Sequence, residues 1–175
     1  MSARDSIPQD AGGVNWSAAE GTRDGSQPPA GGATRALTLP HLPYADAVLA
    51  ELTVSGLEPD LVDAGVRREP GGPRELYVTT VWSPGHPDLD RAAWPEGLTL
   101  SWSHLTGWST HDGDTVRALG DVDALAPPVL IADAVLHLAV HGQGIPWLPP
   151  AGGRWAHADD LDTAIDAFTE RGADW

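Results

Sequence analysis

The stretch that decides the fold is "LTLSWSHLTGWSTHDGDTVRAL", residues 98 to 119. Leu98, Leu100 and Trp102 alternate with Thr99 and Ser101, so one face of the segment is apolar and the other polar, the period of a half-buried strand. "HLTG" interrupts the alternation as a turn, and "GWST" begins a partner strand. The Asp-Gly pair in "HDGD" favours a tight hairpin from which "TVRAL" returns. The middle of the chain therefore reads as an antiparallel meander.

Working outward, "ELYVTTVW", Glu75 to Trp82, is dense in β-branched and aromatic residues and reads as a central strand. "PGGP" before Arg74 signals a turn, and "DLVDAGVRRE" ahead of it supplies a short strand or a turn. Between Trp82 and Leu98, "SPGHPDLDRAAWPEG" reads as a long polar loop, because its prolines cannot donate to a ladder.

Three segments carry helical periodicity. In "LPYADAVLAELTVSG", Ala45, Val48, Leu49 and Leu52 fall at i, i+3, i+4 and i+7, and Gly56 stops the helix. Val129 to His141 is apolar nearly all round, which implies burial on a broad face, with proline before it and Gly142 just past its end. In "ADDLDTAIDAFTERG", Leu161, Ala164, Ile165 and Phe168 form a stripe, with Asp159 and Asp160 at the positive end of the dipole and Arg171 at the negative end. Residues 1–40 lack any sustained apolar period and are expected to form a disordered leader. The expected fold is α+β: one domain over 41–175, in which a three- to five-stranded antiparallel sheet is covered by two or three helices on one face.

Composition narrows the function. With 25 acidic against 10 basic residues, all ten of them arginine, the net charge is −15, so phosphate backbones and anionic lipid surfaces would be repelled. No direct nucleic-acid binding is expected. The absence of cysteine removes disulfides, thiolate nucleophiles and Cys-ligated metals. No secretory pattern opens the chain and no run of about 18 apolar residues occurs, so it reads as cytoplasmic with no membrane association.

Four features run in a fixed order: "GHPDLD" after a strand, Trp102 and Gly107-Trp108 bounding "WSHLTGW", the passage "ALGDVDALAPP", and the apolar helix straight after it. In these the span from about Leu42 to Val140 resembles a family of small actinobacterial domains of unknown function. The resemblance implies one compact domain and assigns no catalytic residue.

Two places carry side chains able to do chemistry. His137 and His141 in "HLAVHG" lie one turn apart on one helix face, the arrangement that lets two imidazoles grip a metal. Leu138, however, stands where His-Glu-x-x-His enzymes place their glutamate base, and Asp133 lies about 12 Å from His141 along the axis at 1.5 Å per residue. The simpler explanation is a polar stripe, Asp133, His137 and His141, facing solvent or a polar edge. The second place is "GHPDLD", where His86 and Asp88, with Asp90 nearby, could hold a divalent cation or form an acid–base pair; the alternative is a turn or cap with solvated charges. "HDGD" and "GDVD" are explained by turn chemistry. Eight tryptophans against one phenylalanine complete the inventory, and Trp82, Trp94, Trp102 and Trp108 gather around the expected sheet, as core filler or as interaction anchors.

The expected function is that of a non-enzymatic acidic protein-interaction or regulatory module with a protein partner and no cofactor or metal. Two alternatives stand beside it. One is a metal-dependent enzyme using His86, Asp88 and the paired histidines; the other is an acidic mimic of nucleic acid that blocks a basic protein surface.

Overall fold

The computed structural model describes residues 39–172, apart from 69, 114, 151 and 152. Its sheet grows from the meander. Strands β1 (Leu61–Arg68), β2 (Arg74–Trp82), β3 (Leu98–Ser103), β4 (Gly107–Asp112) and β5 (Thr115–Ala118) lie side by side in chain order, each antiparallel to the next. The segment left open between strand and turn is thus a full strand, β1, and the sheet has five strands.

Register follows from alternation. Trp102 stands opposite Val78 on one side and Trp108 on the other, and Leu100 opposite Thr80 and Thr110. Paired residues share a face. Leu76, Val78, Thr80, Trp82, Leu98, Leu100, Trp102, Trp108 and Thr110 are therefore buried together, while Tyr77, Thr79, Val81, Thr99, Ser101, Ser109 and His111 line the opposite, half-buried face.

Among the described residues three helices supply the rest of the core: α1 (Leu42–Val54), α2 (Pro128–His141) and α3 (Ala158–Gly172), with a 3-10 turn at Gly142–Gly144. Helix α1 buries Tyr44, Ala45, Val48 and Leu52, and Leu49 packs partly against them. Helix α2 buries seven residues from Leu130 to Ala139, as its apolar sequence requires. Ala158, Leu161, Ile165 and Phe168 are buried positions of α3, and the Phe168 ring lies 4.4 Å from the Arg74 guanidinium carbon.

The connection from Trp82 to Leu98 corrects one expectation. It holds polar residues, yet Leu89 and Trp94 within it are buried, and it wraps over the end of α2. Asp90 N–H donates to Ala139 O at 2.8 Å, and Trp94 Nε1–H to Leu138 O at 2.6 Å. Both acceptors lie in the last turn of α2, where carbonyls run short of intrahelical partners, and Leu138 O also accepts the capping N–H of Gly142. Two glycines make the wrap possible. At Gly142 (φ 61°) a Cβ would come within 2.9 Å of the Ala93 Cβ, and at Gly97 (φ 84°) within 2.4 Å of the Trp82 carbonyl oxygen. Both positions combine a left-handed backbone with no room for a side chain.

The expected leader, 1–40, lies outside the described residues except for its last two; of these Leu39 packs against the core. Among the described residues no helix is long and apolar enough to cross a membrane.

Candidate functional site

The four tryptophans offered as interaction anchors are core residues, and that reading is corrected. Trp82, Trp94, Trp102 and Trp108 are buried, and every indole N–H is used internally. Trp82 donates to Leu57 O at 3.3 Å, Trp102 to Ala124 O at 2.6 Å and Trp108 to the Tyr44 hydroxyl at 3.2 Å, beside the Trp94 bond already described. With one phenylalanine in the chain, indole fills the space between sheet and helices, and each N–H reaches a backbone carbonyl or the buried Tyr44 hydroxyl.

"GHPDLD" is organised by its own turn. The His86 side chain is nearly buried, with Nδ1 3.8 Å from Asp88 and Nε2 4.0 Å from Asp60, a residue that sequence distance had concealed. Asp88 N–H donates to His86 Nδ1 at 3.3 Å. Asp60 Oδ2 accepts the Ser83 N–H at 2.7 Å, and that bond holds its carboxyl below the usual range. Asp90 points elsewhere: its Oδ1 accepts the N–H groups of Ala92 and Ala93, both at 2.9 Å, the work of a cap.

His137 and His141 do come together, with ring centroids 4.6 Å apart. His137 Nε2 lies 3.0 Å from Ile145 O; a carbonyl only accepts, so this nitrogen carries the proton and donates. Asp133 Oδ2 accepts the Trp147 indole N–H at 3.0 Å. The polar stripe on α2 therefore holds down residues 145–148, which run along the helix as a strap. Among the described residues, no three His, Asp or Glu side chains gather where they could hold a metal ion.

Beside the strap, α2 shows solvent a different row. Val129, Leu136 and Val140 are 61%, 39% and 60% exposed, and their spacing of seven and four places them on one face. Ile145 and Leu148 of the strap are exposed as well. The aliphatic row was present in the sequence, but a helix apolar all round gives no sign of which side the sheet will take.

Sequence reading also missed two buried polar residues at the start of α1. His41 is fully buried; its Nε2 donates to Tyr77 O at 3.0 Å, its ring stacks on Trp102 at 5.7 Å, and its Nδ1 has no hydrogen-bond partner among the described residues. Burial holds its pKa below the ordinary value. Tyr44 donates to Ala126 O at 2.7 Å while accepting from Trp108, and burial pushes its hydroxyl pKa up. A Tyr or His beside a helix N-terminus has no pattern that announces a partner 82 residues away.

Close to Tyr44, whose ring lies 5.1 Å from that of Trp155, Arg154 bridges Asp123, Asp159 and Asp162, tying the start of α3 to the loop before α2. No protein-family model, no curated protein and no solved structure matches this chain.

Proposed function

We propose that this protein is a docking module whose binding face is the exposed side of α2. The observation that carries the reading is the row Val129, Leu136 and Val140, three large aliphatic side chains left exposed on a helix whose opposite side is fixed in the core. A rigid helix presenting anchors at this spacing suits an apolar groove on another protein, and pre-organisation lowers the entropic cost of binding. The charge of −15 favours a partner with a basic rim, which would be steered in before the aliphatic contacts form. The setting we propose is the cytoplasm, with which the cysteine-free sequence is compatible.

The test is affinity capture from cells of the source organism on two baits, the native chain and Leu136→Gln/Val140→Gln. The native bait should retain a partner that the variant loses, with weaker capture as salt rises. Equal retention on both baits would count against the α2 face.

A further inference from the structure

Strand β1 is an edge strand of the sheet, and among the described residues no strand pairs with its outer side. It is eight residues long, whereas β5 at the other edge has only four. A long edge with unused N–H and C=O groups is a template for another strand unless something blocks it. The charges on β1 are not evenly spread: Asp60 and Asp63 lie at its start, and Arg67 and Arg68 at its end.

We propose that β1 pairs antiparallel with β1 of a second copy, about a two-fold axis through Gly65, joining the two sheets into one of ten strands. Antiparallel pairing centred there sets Asp63 of each copy opposite Arg67 of the other, and Val62 opposite Arg68. Two attractive pairs result, symmetric about the axis. Parallel pairing would instead align like charges, which is destabilising. The residue-centred register also satisfies the ladder whichever set of backbone groups faces outward, since the axis can fall on either kind of antiparallel pair.

The side chains on the sheet's half-buried face hold these charges in place. Tyr77 pairs with Gly65 across the β1–β2 ladder, and a Cβ at Gly65 would meet the Tyr77 hydroxyl at 3.3 Å, so the ring lies over the glycine. From there its hydroxyl donates to Asp63 Oδ2 at 3.0 Å, and the Arg67 guanidinium carbon sits 5.3 Å from the ring centroid. Arg67 Nη2 also donates to Glu75 Oε1 at 2.9 Å. Both charges are thereby positioned on either side of the axis, with rotamer freedom already reduced before a second copy arrives. Exposed Leu61 and Val62 add apolar area at each end of the paired strands.

Sedimentation equilibrium on the full chain, with Asp63→Arg and Arg67→Asp variants alone and mixed, tests the proposal. The native chain should form a dimer, and each variant alone should dissociate at least about tenfold more readily, because its homodimer sets two like-charge pairs face to face. An equimolar mixture should recover the dimer, since the mixed pair restores Asp–Arg contacts on both sides of the axis. Circular dichroism melting confirms that both variants fold. A monomeric native chain, dimers indifferent to both substitutions, or a mixture no tighter than the separate variants would each overturn the proposal. None of these results depends on the α2 face.

Discussion

The Trp108 indole N–H points at the Tyr44 hydroxyl 3.2 Å away, and that hydroxyl donates its own hydrogen bond to Ala126 O at 2.7 Å. One oxygen thus ties the sheet, α1 and the loop before α2 together inside the core. Tyr44→Phe keeps the ring and removes the oxygen, leaving a buried indole N–H without an acceptor and a buried carbonyl without a donor. The expected loss is about 1–3 kcal/mol, the cost of stranding buried polar groups, read as a lower urea midpoint with unchanged slope.

His41 should make the fold acid-sensitive in a definite window. Its folded-state pKa lies below the ordinary 6.5, so the unfolded chain binds a proton that the native state resists. Its contribution is complete above 6.5 and is lost as pH falls from there toward the folded-state value. Asp60 and Glu75, whose pKa values are also lowered, act further down, below the ordinary carboxylate range near 4. Urea unfolding between pH 7.5 and 5 should show stability falling in the native chain, with a shallower slope in His41→Gln. Identical slopes would remove His41 as the cause.

The strap over α2 should loosen when either anchor is removed. In His137→Ala the Ile145 carbonyl loses its donor, and in Asp133→Ala the Trp147 indole loses its acceptor. Both bonds are exposed, so each is worth only about 0.5–1.5 kcal/mol. The sensitive readout is limited proteolysis, which should cut within residues 145–150 faster in either variant while the melting temperature moves little.

Gly97→Ala should be far more damaging than its size suggests, because the added methyl would overlap the Trp82 carbonyl in a left-handed backbone. Gly113→Ala is the control: its φ is also positive, at 54°, yet nothing lies within 4 Å. Thermal melting should show a large loss for the first and only the strain of the backbone, about 1 kcal/mol, for the second.

The alternation of Leu98, Leu100 and Trp102 and the stripes of the helices were legible because they are local: a residue's neighbours at two or at three and four places reveal its face. Strands β2 to β5, the helix order and Gly142 as a helix stop all rest on such signals, whereas β1, an exposed edge strand with no apolar alternation, stayed open between strand and turn. What was hidden depends on contacts between distant segments. Asp60 reaching His86, Tyr44 reaching Ala126, and Trp94 folding back onto Leu138 leave no periodic trace. The same limit explains the tryptophans, whose composition marked them as unusual but could not say whether a ring faced the core or a partner.

The α2 face is tested most directly by calorimetric titration of the captured partner into three forms of the protein: native, Leu136→Gln/Val140→Gln, and Val54→Gln. Val54 is 83% exposed on α1 and controls for the loss of any surface aliphatic. The double variant should bind about 30-fold more weakly, a loss of about 2 kcal/mol typical of interface anchors, while Val54→Gln should match the native chain. Equal affinity for all three forms, or a loss confined to Val54→Gln, would contradict a docking surface on α2.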